Sequence, residues 1–170
     1  IELVDPDASP ERAAALRRRL AKIAAVQPDE PPLAERLELL RRHLAELGVD
    51  GVVLQRTDAF GSEYLPGSAE RMAWLTGFTG SAGECAVLCH RAAVFVDGRY
   101  TVQVAQQVDP ARFAICHLIE HPPARWIEEN LPEGASLGYD PMLTRAAARA
   151  RLAKAVAKRN GRLVAQAANP

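Results

Sequence analysis

The tetrapeptide Asp97-Gly98-Arg99-Tyr100 holds residue types that could bind a ligand at the start of a helix. Asp97 is a natural N-cap and Gly98 a natural turn residue, so local structure accounts for both. Arg99 fits less well, because a cation in the first helical turn faces the positive end of the helix dipole, at a cost of about a few tenths of a kcal/mol. An adjacent carboxylate could offset that cost. The residues alone leave two interpretations open, a functional arginine and a tolerated helix-start residue.

Three cysteines and four histidines raise the question of a metal site. Cys85 and Cys89 are four apart on a predicted strand, which places both side chains on one face about 13 Å apart, too far to chelate one ion. The other possible ligands do not complete a metal-binding pattern such as paired C-x-x-C motifs. These are His90, Cys116, His117 and His121. The pattern favours buried small side chains for the cysteines and surface or hydrogen-bonded histidines.

Gly77, Gly80 and Gly83 resemble a phosphate cradle, but such loops run from a strand into a helix, and this one is predicted to run from a helix into a strand. Ser81 lacks the frame of a nucleophile elbow, because Thr79 stands where the first glycine is required. An autonomous hydrolase that uses Ser81 or Cys85 remains a third functional hypothesis, beside the two given below. Labelling with a thiol-reactive or a serine-reactive probe would detect such an enzyme.

The chain after Asp140 holds no acid and seven basic residues. Arg151, Lys154 and Lys158 share one face of a predicted helix. A solvated face, a docking face for another domain and a polyanion-binding surface are all compatible with this spacing. An interaction module that binds an acidic protein or nucleic acid through this helix is thus the alternative function, and salt-dependent binding to a polyanion would favour it.

The composition is that of an ordinary globular domain: 170 residues, 48% hydrophobic and 25% charged, with 21 basic and 21 acidic side chains. This balance excludes disordered, collagen-like and disulfide-scaffold proteins. The zero net charge removes the global electrostatic argument for nucleic-acid or membrane-surface binding, and no apolar run approaches the roughly 20 residues that span a bilayer. An odd number of cysteines favours reduced thiols, so we expect a cytoplasmic protein.

Hydrophobic periodicity predicts alternating helices and strands. Ser9 and Pro10 start a first helix through Ala24, and leucines from Leu33 to Leu47 form a second, ended by Gly48. Further elements are predicted at residues 51–55 (strand), 69–76 (helix, capped by Ser68), 84–89 and 92–96 (hairpin strands), 99–108 (helix), 113–119 (strand), 122–130 (helix), 136–139 (strand), 144–158 (helix, capped by Thr144) and 162–167 (strand). The order predicts an α/β fold, with a mixed sheet of about six strands flanked by helices.

Two separated motifs carry a family resemblance. The run Arg71 to Gly83, RMAWLTGFTGSAG, and the later segment Val96 to Tyr100, VDGRY, closely resemble the N-terminal domain of Xaa-Pro aminopeptidase, also called aminopeptidase P, within the creatinase/prolidase N-terminal domain family. Asp58 to Pro66 and Leu137 to Pro141 are similar to the same family. The resemblance covers roughly Leu33 to Pro170.

That resemblance implies a ribonuclease-H-like fold. Enzymes of this family remove an N-terminal residue that precedes proline, with two divalent metals, commonly manganese, held by two Asp, one His and two Glu of a C-terminal domain. Since no part of this chain resembles that domain, we expect a noncatalytic domain that holds no metal or cofactor and no catalytic residue, and that is inactive alone. Expected partners are the C-terminal domains of the same enzyme and a proline-containing peptide; the resemblance also allows a homodimer, and nucleic acid and membrane are not expected.

The resemblance further implies a division of the chain and a set of substrate-binding residues. Residues 1–32 form an unmatched N-terminal extension, 33–167 the family domain, and 168–170 the start of a linker. Arg99 is expected to line the pocket for the side chain of the residue that is removed, with Asp97 holding the guanidinium and Tyr100 packing inward. Arg71, just before the glycine-rich turn, is expected to assist them.

Overall fold

A computed structural model describes residues 30–62 and 64–166. The predicted first helix, at Ser9 to Ala24, lies outside this range. The described residues form helices α1 (Leu33–Glu46), α2 (Arg71–Thr76), α3 (Thr101–Gln107), α4 (Pro123–Asn130) and α5 (Ala146–Ala157). Their strands are β1 (Gly51–Gln55), β2 (Glu84–Leu88), β3 (Ala92–Val96), β4 (Ala114–His117), β5 (Ser136–Tyr139) and β6 (Arg162–Ala165), and 3₁₀ turns span Gly67–Ala69 and Gly98–Tyr100.

The strands form one sheet in the order β4-β3-β2-β1-β5-β6. Strand β2 pairs antiparallel with both β1 and β3, while the remaining pairs are parallel. Consequently β1, β3, β4, β5 and β6 all end at one edge of the sheet, where β2 begins. We call this edge the carboxyl edge. The prediction of a mixed six-strand α/β sheet is confirmed, and in α/β folds ligands bind at the carboxyl ends of strands.

Helices cover both faces of the sheet. Because neighbouring strand residues point to opposite faces, adjacent residues of one strand belong to different cores. Val52 contributes to a core beneath α1, α2 and α3, whereas Val53 contributes to a second core beneath α4 and α5. On α1 the buried residues Leu37, Leu40 and Leu44 recur at three and four positions, as the leucine spacing predicts. The two cores hold the carboxyl edge rigidly between helical layers.

The helix caps predicted at Ser68 and Thr144 are wrong. Ser68 lies inside a 3₁₀ turn, and α2 starts after Glu70 without a side-chain cap. The backbone N–H of Thr144 donates to the carbonyl of Asp140, so Thr144 belongs to the turn after β5, and α5 begins only after Arg145. Strand β2 ends at Leu88, one residue before Cys89. At Ser68 and Thr144 a local turn satisfies the backbone where an isolated polar residue suggested a cap.

Candidate functional site

The Asp97-Gly98-Arg99-Tyr100 turn leaves the sheet where β3 reaches the carboxyl edge. Asp97 is the N-cap of the 3₁₀ turn, and its Oδ1 accepts a hydrogen bond of 3.0 Å from the backbone N–H of Arg99. This confirms the predicted cap. Arg99 itself lies in the 3₁₀ turn, and α3 starts only at Thr101, two residues later than predicted.

The same carboxylate holds the guanidinium of Arg99 through two further bonds. Arg99 Nε donates to Oδ1 at 3.0 Å and its terminal nitrogen to Oδ2 at 2.8 Å. This bidentate pair fixes the orientation of the arginine. The hydrogen bonds from Arg99 lower the pKa of Asp97 from 3.8 to about 2, so the carboxylate stays charged at any physiological pH. Yet 70% of the Arg99 side chain remains exposed, which leaves the part of the guanidinium that does not face Asp97 open to a ligand.

Tyr100 joins this turn to the glycine-rich segment. Its ring packs edge-on against Phe78, with centroids 5.7 Å apart, and its hydroxyl lies 2.6 Å from Ser81 Oγ. The guanidinium of Arg99 stands 5.3 Å from the Tyr100 centroid, within cation–π range. Tyr100 therefore packs inward and at the same time supports the arginine.

His117 is a further member of the site, although its sequence context predicts only a surface or hydrogen-bonded histidine. It ends β4, next to β3, and its Nδ1 accepts from the backbone N–H groups of Ile119 and Glu120 at 3.4 and 3.3 Å. Its Nε2 faces Gly98, 4.0 Å from the point where a Cβ would stand. The usable signal was its place near the end of a predicted strand, but the pairing of β4 with β3 was needed to bring it to Asp97.

Arg71 lies at the same edge but contacts other segments. It pairs with Asp140 Oδ2 after β5 at 3.3 Å, donates to the carbonyl of Thr57 after β1 at 3.3 Å, and its side chain is only 16% exposed. Arg99, in contrast, follows β3 and contacts Asp97 and Tyr100. Arg71 thus ties two loops of the carboxyl edge together, and a role in substrate binding stays a prediction.

A cleft of about 500 Å³ opens at the carboxyl edge between the end of β1, the start of β2 and the start of α5. Its polar lining includes Arg56, Ser62, Ser81, Glu84, Arg145 and Arg151. Arg56 donates to the Ser81 carbonyl at 2.8 Å and to Glu70 Oε1 at 2.6 Å. Burial raises the pKa of Glu84, while a hydrogen bond from the Gln55 side chain and then the positive charge of Arg151 oppose that rise. Ser81 contacts Tyr100, so the cleft adjoins the Arg99 turn.

Cys85 and Cys116 lack the features of activated nucleophiles, whereas Cys89, expected to be buried, is exposed with its Sγ 3.3 Å from His90 Nδ1. Burial raises the pKa of Cys85, and burial followed by the Glu129 charge raises that of Cys116, which is opposite to thiolate activation. Within residues 30–62 and 64–166 there is no group of three or more His, Cys, Asp or Glu side chains placed to hold a metal ion. Among the same residues, no helix is both long and apolar enough to cross a membrane.

The basic face of α5 is partly neutralised. Lys158 Nζ pairs with Glu128 at 2.7 Å, and Arg151 interacts electrostatically with Glu84. Nothing in the comparisons below supports an interaction module built on this face.

Comparison with known proteins identifies the family. Residues 36–167 match the model of the Creatinase/Prolidase N-terminal domain. The chain belongs to this family. Aminopeptidase P2 of Arabidopsis thaliana is 34% identical over 134 residues, 76% of this chain and 19% of that protein. Xaa-Pro aminopeptidase 2 of Rattus norvegicus is 35% identical over 113 residues, 64% of this chain and 16% of that protein.

Solved structures agree with the family assignment. An X-prolyl aminopeptidase from Caenorhabditis elegans, described as a cytosolic enzyme with a di-nuclear active site, superimposes with a TM-score of 0.72 and 27% identity over 81% of this chain and 24% of that one. The N-terminal domain of the cytoplasmic peptidase PepQ from Mycobacterium tuberculosis H37Rv gives 0.58 and 25% over 77% of this chain and 92% of that one. The resemblance read from the sequence is confirmed, and this creatinase/prolidase N-terminal domain spans a fifth or less of the curated relatives named above.

Proposed function

We propose that this chain is the noncatalytic N-terminal domain of a metal-dependent Xaa-Pro aminopeptidase, an enzyme that removes the residue preceding proline at a peptide N-terminus. Support comes from the relatives named Xaa-Pro aminopeptidase 2 and Aminopeptidase P2, of which the chain covers 16% and 19%. The two divalent metals, which we expect to be manganese, would be held by Asp, His and Glu side chains of a catalytic domain outside this chain. Their chemistry is activation of the attacking water and polarisation of the scissile carbonyl.

The exposed guanidinium of Arg99 is the observation that carries this proposal for the domain. A rigid strand end, a capped turn and a bidentate carboxylate fix its base, while 70% of its side chain is exposed. A side chain built in this way stabilises its own fold little, since exposed ion pairs contribute about 0–1 kcal/mol. Its construction is instead suited to positioning a ligand.

Arg99 would line the pocket that receives the side chain of the residue being removed. Asp97 would keep the guanidinium in one orientation. The Tyr100 ring, which lies against the guanidinium, would limit the movement of the Arg99 side chain. Because the arginine would hold substrate without touching the metals, its contribution would be to the geometry of the bound peptide. Arg71 would act indirectly, by fixing the loops after β1 and β5.

The carboxyl edge would face the remaining domains of the same enzyme or a second subunit. Several large apolar side chains on the segments that follow β1, β4 and β5 are exposed there: Phe60, Tyr64, Ile119 and Met142. We place the enzyme in the cytosol, in line with the C. elegans relative described as cytosolic.

The Arg99→Ala variant of the full-length enzyme tests the role of this turn. We expect kcat/KM for Xaa-Pro peptides to fall by an amount that corresponds to a loss of about 1–3 kcal/mol of transition-state binding. The fold should stay intact, because the variant loses a group that positions the peptide while the metal site is unchanged. Arg125→Ala is the matched control: Arg125 is 64% exposed and also pairs with a carboxylate, on α4. If the two variants have the same kcat/KM for Xaa-Pro peptides that differ in their N-terminal residue, Arg99 has no role in positioning the substrate and is only an exposed residue at the helix start.

The isolated chain supplies a second test. We expect the purified 170-residue protein, incubated with Mn²⁺, to hydrolyse no Xaa-Pro peptide, because the proposed metal ligands lie in another domain. Peptide hydrolysis followed by mass spectrometry, with metal content measured on the same sample, checks this. Stoichiometric manganese together with turnover would overturn the noncatalytic assignment.

A further inference from the structure

The two ring nitrogens of His117 have different surroundings beside the Asp97 to Tyr100 turn. Nδ1 accepts from the backbone N–H groups of Ile119 and Glu120, at 3.4 and 3.3 Å. A ring nitrogen that accepts carries no proton, so in the neutral imidazole the proton is on Nε2. Among residues 30–62 and 64–166, Nε2 has no hydrogen-bond partner. His117 therefore offers one free N–H donor.

Gly98 leaves open the space that this donor borders. Outside the two residues adjacent to Gly98, a Cβ at this position would have one described atom within 4.0 Å, which is His117 Nε2. The backbone fixes this arrangement, because Val96 pairs with His117 in the parallel register of β3 and β4, and the N–H of Leu118 donates to the Val96 carbonyl at 2.9 Å. We call this open space between Gly98 and His117 Nε2 the Gly98 notch.

The groups beside the notch offer donors, while their acceptor is already engaged. Asp97 Oδ1 accepts from the backbone N–H and Nε of Arg99, and Oδ2 accepts from one terminal nitrogen of the guanidinium. The other terminal nitrogen has no hydrogen-bond partner in the described part of the chain. Asp97 and Arg99 cancel in formal charge, neutral His117 adds none, and Glu120, whose N–H bonds to His117, is negative. The notch thus suits an uncharged acceptor oxygen better than a carboxylate.

We propose that His117 Nε2 donates a hydrogen bond, at the Gly98 notch beside Arg99, to the side chain of the residue being removed. The ligand class is a peptide whose first residue ends in an uncharged oxygen acceptor, such as the amide of glutamine. His117 is then a specificity-determining residue. This inference rests on the proposed function for its peptide, and it adds the kind of side chain that the pocket favours.

The test compares the peptides Gln-Pro-Ala and Met-Pro-Ala as substrates of the full-length enzyme. Glutamine and methionine are both unbranched, but only glutamine ends in an amide oxygen. The wild type should favour Gln-Pro-Ala, and in His117→Asn the ratio of the two kcat/KM values should fall about two- to tenfold, as expected for one hydrogen bond between uncharged groups. Asparagine can still accept from the N–H groups of residues 119 and 120, whereas it has no donor at the position of Nε2.

Two further variants separate this role from a structural one. His117→Gln is the conservative variant, since its amide can place an N–H near the position of Nε2, and it should restore part of the ratio. His121→Asn is the matched control, because His121 lies on the same turn but its Nε2 pairs with Glu129 at 2.7 Å. It should keep the wild-type ratio. Thermal unfolding of the 170-residue chain should give similar Tm values for His117→Asn and the wild type.

The neutral His117 ring of the wild-type chain gives a test that needs no variant. Nitrogen NMR of the 170-residue protein should place the ring proton on Nε2. A proton on Nδ1, or the same ratio of kcat/KM values in the wild type and His117→Asn, overturns this inference and leaves the proposed function standing. If the wild-type enzyme hydrolyses neither peptide, the proposed function is wrong and the inference fails with it.

Discussion

The segment Gly77 to Gly83 and the Asp97 to Tyr100 turn both lie at the carboxyl edge, and both contain glycine, yet they are built differently. In the first, a Cβ on Gly80 would stand 2.2 Å from the Phe78 ring, and Gly77 has φ of 77°. In the second, Gly98 has open space to 4.0 Å. The first segment is fixed by close packing, while the second presents an exposed cation from a tight turn.

This difference shows that the motifs of one family can contain both residues that pack the core and residues that are exposed to a ligand. Phe78 is 1% exposed and belongs to the core beneath α1 to α3. Arg99 is held by Asp97 in solvent. Tyr100 connects the two through Phe78 and Ser81. We therefore expect changes in the glycine-rich segment to alter stability, and changes in the Asp97 turn to alter ligand binding.

The largest expected effect is that of Phe78→Ala. Removal of a buried phenylalanine typically costs about 3–5 kcal/mol, because the transfer free energy is lost and a cavity remains. Arg99→Ala should change the free energy of unfolding by less than about 0.5 kcal/mol, as surface substitutions usually do. Urea denaturation of the 170-residue chain measures both. Comparable destabilisation by the two substitutions would remove the proposed division between packing and binding.

A smaller effect is expected from Gly80→Ala. The new methyl group would overlap the Phe78 ring and force a buried side chain to shift, and overpacking of this kind costs about 1–3 kcal/mol. Gly98→Ala is the matched control, because among residues 30–62 and 64–166 the nearest atom to its new methyl group, outside the two adjacent residues, is His117 Nε2, at 4.0 Å. Thermal unfolding of both variants checks the contrast, and a greater loss of stability in Gly98→Ala would contradict it.

The smallest effect is electrostatic. In Arg99→Ala the pKa of Asp97 should rise from about 2, because the side-chain hydrogen bond from Arg99 is the largest cause of its depression, while the backbone N–H of residue 99 still donates to the carboxylate. The sign for stability follows: a depressed carboxyl pKa stabilises the fold above pH 3.8, and the contribution disappears as the pH falls toward 2.

Carboxyl-carbon NMR titration of the wild type and the variant measures this shift. Asp58 is an internal control, since hydrogen bonds from its own loop, first from Ser62, lower its pKa. It should titrate identically in both proteins. If the pKa of Asp97 is the same in both proteins, Arg99 and Asp97 are not paired in solution.

Much of the fold could be predicted from local pattern. The bounds of β1 and β5 agree with those predicted, and the leucine spacing gave the buried face of α1. These elements were predictable because periodicity of 2 and of 3.6 is a property of consecutive residues. Caps were less predictable, as Ser68 and Thr144 show, because nearby turns compete for the same polar groups.

The chain by itself determined the element order, the Asp97 cap and the pairing of Arg99 with its neighbouring carboxylate, since all of these involve residues close in sequence. Only the tertiary structure decided that His117 lies beside Gly98, that Arg71 contacts Asp140 and that Arg145 and Arg151 share a cleft with Ser81. These contacts depend on strand order and on which face each helix covers, which no local pattern specifies. They are set by how the two hydrophobic cores close around the sheet.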